Sequence, residues 1–197
     1  MNTRDRIVEA AERIMRTQGI AQATTKEIAR EACCSEGTLY NHFESKEALF
    51  LAVLRDRLPD FIRQVVAFPE RAGSGTVRGN LEEIGCAALS FYREVIPLGA
   101  CLLSEPGRLA TQRDYLRERG AGPHKAHELV ARYLRAEQEH GRVRRNADPL
   151  AAARLLLGGC FQQAYISPLA GLDISGTAGQ HLVENLVDTL MAALSPE

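Results

Sequence analysis

The sequence contains no tryptophan and only 6% aromatic residues, and valine and isoleucine are sparse beside leucine and alanine. So few β-branched and aromatic residues leave little from which to build a sheet, and the composition predicts helix throughout. A membrane-spanning run of about 20 apolar residues is also missing. The longest candidate, LAAARLLLGGCFQQAYI (150–166), is broken by Arg154, Gln162 and Gln163. The opening residues, MNTRDRIVEAAERIM, are charged and amphipathic where a secretory leader needs an apolar centre. The five cysteines are odd in number, and 197 residues can bury a core without covalent staples. The expectation is a reduced, cytoplasmic protein with no membrane contact. Basic charge is not in excess: 24 Lys and Arg stand against 25 Asp and Glu, a net charge of −1, so no overall field draws in nucleic acid.

Catalytic patterns are absent too. No GxSxG, HExxH, phosphate-loop or Cys-x-x-Cys pattern occurs. The Glu-x-x-His pairs on two helices that a di-metal bundle enzyme requires do not occur either. His124 and His127 (HKAH) share a helical face with Glu128 beside them, but a metal site needs three or four ligands and no partner cluster is evident. No enzyme activity, metal or cofactor is expected.

What is present is a succession of helices. Residues 3–18 repeat Ile7, Ala11, Ile14 and Met15 at helical spacing, with Thr3 as N-cap and Gly19 closing the end. ATTKEIAREA holds a capping box, Thr24 with Glu27. The CCS turn follows, read as one small turn residue and one buried small hydrophobe. A second short helix, 35–43, carries Leu39 and Phe43 on one stripe. Ser45 caps a longer helix that Pro59 should bend. After a Gly-, Pro- and Ser-rich loop (69–79), helices are expected at 80–95, 97–104, 108–119 and 123–140. RVRR (142–145) reads as a solvated loop. Asp148 and Pro149 start the next helix (150–167), and the last runs over 178–194.

The segment 35–43 poses the functional question. With Leu39 and Phe43 buried, Gly37 and Asn41 lie opposite, flanked by Thr38 and Tyr40. That surface is small or hydrogen-bonding, with no long charged side chain at its centre. A glycine inside a helix costs on the order of 1 kcal/mol against alanine, which makes sense where something must approach the backbone closely. Two short helices joined by a tight turn are the helix-turn-helix arrangement, whose second helix enters the DNA major groove by its N-terminal residues. Thr25, Tyr40, His42 and Lys46 surround the surface with groups suited to phosphate oxygens. Residues 1–50 hold as many acidic as basic side chains to within one, so attraction must come from local placement.

ATTKEIAREACCSEGTLYNHFESKEALF resembles the DNA-binding signature of TetR-type transcriptional regulators, without a gap over residues 3–50. EHGRVRRNADPLAAARLLLGG resembles the loop and penultimate helix of many members. The resemblance implies an all-α homodimer with an N-terminal three-helix helix-turn-helix domain (1–46). A larger helical ligand-binding and dimerisation domain (47–197) would release double-stranded operator DNA when a small effector binds. It places phosphate contacts on Thr25, Tyr40, His42 and Lys46, and base-reading positions on Ser35, Glu36, Gly37, Thr38 and Asn41. Glu36 stands where many relatives have Lys or Arg and could accept from a cytosine amino group. Cys33 stands where the family usually has Gly, which predicts a non-glycine residue at positive φ.

In the C-terminal part, Phe61, Phe91, Tyr92, Leu102, Tyr115, Phe161 and Tyr165 supply apolar walls with phenolic tips, suited to a largely apolar ligand, and His127 and Gln162 could orient its polar group. The closing helices carry apolar residues over more than one face, and Leu155, Leu182, Leu186 and Leu190 are the expected dimer contacts, in a four-helix bundle across a two-fold axis. The reading is a ligand-responsive repressor. The alternative is a helical interaction or ligand-binding module that has lost operator binding.

Overall fold

The computed structural model describes residues 2–18, 22–103, 106–118 and 122–196; side chains at 16, 47, 51, 54–60, 62, 97–103, 106–108, 111, 112 and 115 lie outside that description. The described residues form α1 (Thr3–Gln18), α2 (Thr25–Glu31), α3 (Glu36–His42), α4 (Lys46–Ala67), a 3-10 turn (Phe68–Arg71), α5 (Val77–Leu103), α6 (Pro106–Glu118), α7 (Pro123–Glu139), α8 (Pro149–Leu169) and α9 (Gly176–Leu194). Among them there is no strand. No described helix is long and apolar enough to cross a membrane.

The chain divides into two compact units, Met1–Pro59 with Pro97–Ser104, and Asp60–Ile96 with Glu105–Glu197. The first unit reaches beyond the boundary expected at residue 46, because Leu49, Phe50, Ala52 and Val53 of α4 are buried. Its helices start where the chain supplies a cap. Asn2, not Thr3, caps α1: the Asp5 N–H donates to Asn2 Oδ1 at 2.9 Å, and Thr3 is already helical. The Thr24 capping box forms, with the Glu27 N–H donating to Thr24 Oγ1 at 3.2 Å and the Thr24 N–H to Glu27 Oε2 at 3.3 Å. Ser45 Oγ accepts from the Ala48 N–H at the start of α4.

Between α2 and α3 the chain closes with two nested bonds, Cys34 N–H to the Ala29 carbonyl (2.9 Å) and Cys33 N–H to the Arg30 carbonyl (3.1 Å). This is a Schellman ending, which requires a left-handed residue just past the helix. Cys33 fills that place at φ 52°. A side chain there costs about 1–2 kcal/mol relative to glycine's freedom. The seven residues of α3 are too few to persist alone. The helix exists because Leu39 and Phe43 are buried, beside Ile28, Ala29 and Ala32 of the preceding helix and turn. Burying each large apolar side chain contributes about 1.5–3 kcal/mol.

The second unit is built on one apolar core. Leu81, Ile84, Ala88 and Leu89 of α5 meet Val130, Tyr133 and Leu134 of α7, Leu156, Leu157 and Cys160 of α8, and Val183 and Val187 of α9. At Gly85 a Cβ would come within 2.6 Å of Val183 Cγ1, so this glycine lets α5 and α9 approach closely. Asp148 caps α8, accepting from the Leu150 and Ala151 N–H groups, with Pro149 in the first turn.

One expected break is missing. α5 runs continuously from Val77 to Leu103, where two helices meeting at Pro97 were expected. Proline withdraws one N–H, and a 27-residue helix anchored by four fully or nearly buried side chains tolerates that loss. α4 likewise continues through position 59, whose side chain, like Gly19 at the end of α1, falls outside the described residues.

Candidate functional site

The surface of α3 is assembled by its caps and by α2. Ser35 is the N-cap, accepting from the Thr38 N–H at 3.0 Å, and its hydroxyl shares a hydrogen bond with the Thr38 hydroxyl at 2.8 Å. With Leu39 turned inward, Glu36, Gly37, Tyr40, Asn41 and His42 are all exposed, and Tyr40 keeps 48% of its surface in water. Thr25, Thr38 and Lys46 are half-buried at the margin. Thus α2, α3 and the start of α4 bring the nine side chains expected to meet DNA into one unit, with Ser35 and Thr38 also holding the helix start.

Gly37 has room to spare. A Cβ added there would meet only Ser35 Oγ, at 3.7 Å, an ordinary contact. The fold therefore does not need glycine at this position, and its φ is not in the left-handed region.

Sequence reasoning missed how Thr25 and Glu36 interact. The Tyr40 hydroxyl donates to Thr25 Oγ1 at 3.4 Å, and the Thr25 hydroxyl donates to Glu36 Oε1 at 2.9 Å. A chain of three side chains thus crosses from one helix to the next. The i, i+4 spacing of Glu36 and Tyr40 was the available signal, because it puts both on one side of α3.

Three other acidic side chains of this unit are occupied. Glu27 is in the α2 capping box, and Glu31 and Glu9 face Arg13 at 3.0 and 3.9 Å. The Arg4 guanidinium lies 5.3 Å from the Phe43 ring centre, and Lys46 Nζ lies 5.2 Å from that of Phe50. These cation–π contacts hold two positive charges close to aromatic faces.

In the second unit, four aromatics named as cavity walls touch one another. Phe61 stacks on Phe91 (4.6 Å between ring centres, 12° between planes), Phe91 meets Tyr92 at 5.6 Å, and Tyr92 meets Phe161 edge-on at 5.4 Å. Burial, reinforced by the Cys160 thiol, pushes the Tyr92 phenol up to about 12. His127 is half-buried, and burial lowers its pKa, with Arg154 and His124 pushing the same way. A hydrogen bond to the Pro123 backbone opposes that shift without reversing it. Gln162 and Tyr165 are exposed, because α8 turns Ala153, Leu156, Leu157, Cys160 and Ala164 inward. The side chains of Leu102 and Tyr115 lie outside the described residues. No described group of three or more His, Cys, Asp and Glu residues could hold a metal ion.

The apolar side chains left exposed concentrate on α8. Leu155 (68%), Phe161, Tyr165, Ile166 and Leu169 (76%) are all uncovered, and Gly158 among them has nothing within 4 Å of a built Cβ. Leu182 and Leu186 pack half-buried on the core, and Leu190 is buried inside it.

The arrangement of α1–α3 is that of a helix-turn-helix DNA-binding regulator. Residues 7–53 match the family model for bacterial regulatory proteins of the tetR family, and residues 90–195 match that of the AefR-like transcriptional repressor C-terminal domain. The chain belongs to the tetR family, whose members are transcriptional regulators and not enzymes. It is 43% identical over 68 residues to the HTH-type transcriptional regulator UidR of Escherichia coli K12, a match covering 34% of this chain and 33% of UidR. The chain thus spans about a third of that curated relative's length. A tetR-family regulator from Mesorhizobium loti shares the fold at TM-score 0.69 and 19% identity, covering 98% of this chain and 96% of that one. So does SmeT, the repressor of the Stenotrophomonas maltophilia multidrug efflux pump SmeDEF, at TM-score 0.63 and 21% identity, covering 100% and 92%.

Proposed function

We propose that this protein is a cytoplasmic, homodimeric repressor that binds double-stranded operator DNA through α3 and is released by a small, largely apolar effector. The observation that carries the DNA-binding half is Gly37: an exposed helical glycine that its own chain does not require, at the centre of the exposed face of α3. Gly37, Thr38 and Asn41 read base edges, with Ser35 and Glu36 beside them, while Thr25, Tyr40, His42 and Lys46 fix the register on phosphates. The exposed apolar face of α8, centred on Leu155, Gly158 and Leu169, supports pairing with a second copy, since a monomer rarely leaves so much apolar surface uncovered. Leu182 and Leu186 would border that contact.

The aromatic group Phe61–Phe91–Tyr92–Phe161 supports an apolar effector, which would part these rings and lie between them, with the half-buried His127 available as a polar partner. An effector shifts the balance between DNA-competent and released conformers only by its differential affinity for the two.

Gly37→Ala separates folding from binding. The variant should be more stable than the parent, by up to about 1 kcal/mol in urea unfolding. It should nevertheless bind DNA from the chain's own upstream region more weakly in a gel shift at fixed salt. Equal or tighter DNA binding by Gly37→Ala would remove α3 from the groove.

A further inference from the structure

The Glu36 carboxylate is a negative charge on the face that meets a polyanion. It accepts one hydrogen bond through Oε1 from Thr25, and among the described residues Oε2 accepts none. The Thr25 hydroxyl has a single proton. It can give that proton to Glu36 or to a phosphate oxygen, and not to both. Once Thr25 turns to the DNA backbone, Glu36 is left with two acceptor oxygens and no donor.

The major groove offers few donors to replace the lost one. Guanine presents N7 and O6, both acceptors, and thymine presents O4, an acceptor, and a methyl group. Adenine has the N6 amino group, but its N7 acceptor lies beside it and would repel a carboxylate; that pair suits an amide. Cytosine presents only its N4 amino group, which is the match for a group that can accept and cannot donate. Phosphates are acceptors throughout, so any DNA lacking the amino group leaves the carboxylate facing like charge.

We infer that Glu36 determines specificity at one position of each operator half-site: it exchanges the Thr25 hydroxyl for a cytosine N4 amino group there, and it penalises DNA that offers none. The inference rests on the reading of α3 as the recognition helix. Thr25 is its positioning residue in the free protein, donating to the carboxylate across α2 and α3 at 2.9 Å, and the Tyr40 hydroxyl in turn donates to Thr25 Oγ1 at 3.4 Å.

The test is selection from a randomised duplex pool by the full chain, by Glu36→Gln and by Glu36→Ala, followed by affinity measurements on the selected sites at one salt concentration. Glu36 is exposed and neither change disturbs the core. The parent should enrich cytosine at one position of each half-site, and replacing that cytosine should weaken its binding about 5- to 150-fold. Glu36→Gln should move the preference at that position toward adenine. Glu36→Ala should leave the position without preference, while the other positions keep theirs. A site enriched by all three proteins with an unchanged preference at every position overturns the inference alone. Enrichment of no sequence by any of them overturns the DNA-binding reading, and this inference with it.

Discussion

Leu155→Glu turns the protein into a monomer and weakens operator binding by about 10²–10⁴-fold. Leu155 is 68% exposed on α8, outside the core of its own unit, so the substitution leaves the fold of one chain intact. Two copies joined at α8 would bury it, and a carboxylate placed there must be desolvated without a partner. The loss in DNA affinity follows from valency. Two recognition helices on one rigid body engage the second half-site as an intramolecular event, and separate monomers forfeit that gain. Sedimentation at micromolar concentration checks the first effect and a DNA titration the second. A Leu155→Glu variant that remains dimeric would place the interface elsewhere.

The second large effect concerns folding. Glu137 of α7 is fully buried, and Arg142, in the turn that follows, is its counter-ion. Arg142 Nη2–H donates to Glu137 Oε1 at 3.0 Å, while Nε lies 2.9 Å from Oε2 at an angle that falls short of a hydrogen bond. The Gly73 N–H also donates to Oε1 at 3.3 Å. Asn80 ties the same loop down, donating to the Ser74 carbonyl at 2.9 Å and to the Tyr133 hydroxyl at 3.0 Å. Arg142→Met strands a buried carboxylate and should cost about 3–5 kcal/mol in urea unfolding. Pairing it with Glu137→Leu removes the stranded charge and should recover part of that loss. A single-variant cost below about 1 kcal/mol would mean that Glu137 finds another cation or takes up a proton.

The starts of α2, α4 and α8 were legible because each is announced by side chains that do one thing locally. Thr24 with Glu27, Ser45 and Asp148 are caps whose partners lie within three residues. The Leu39 and Phe43 stripe also fixes which side of α3 faces water. Cys33 could be read as a left-handed residue only through the resemblance, which puts glycine at that place; the ending of α2 supplies the physical reason. What the sequence hid depends on distant contacts. Glu137 looks like any charged residue on an exposed helix face, and only the return of Arg142 across the turn reveals its burial.

In α8, apolar residues occupy more than one face. Periodicity therefore could not tell which side the core would take, and Gln162 and Tyr165 fell on the outer one. Leu190 was expected at the dimer contact and lies within its own core for the same reason. Pro97 reads as a boundary on local grounds, yet the packing of Leu81 to Leu89 carries α5 past it.

The most direct measurement is a hydroxyl-radical footprint of the full-length protein on its selected operator. Two protected patches on one side of the duplex, with centres one helical turn (~34 Å) or a whole multiple apart, are expected from two copies of α3 held about a two-fold axis. A single patch, or protection that does not recur with the helical repeat, would contradict a paired molecule that reads the groove twice.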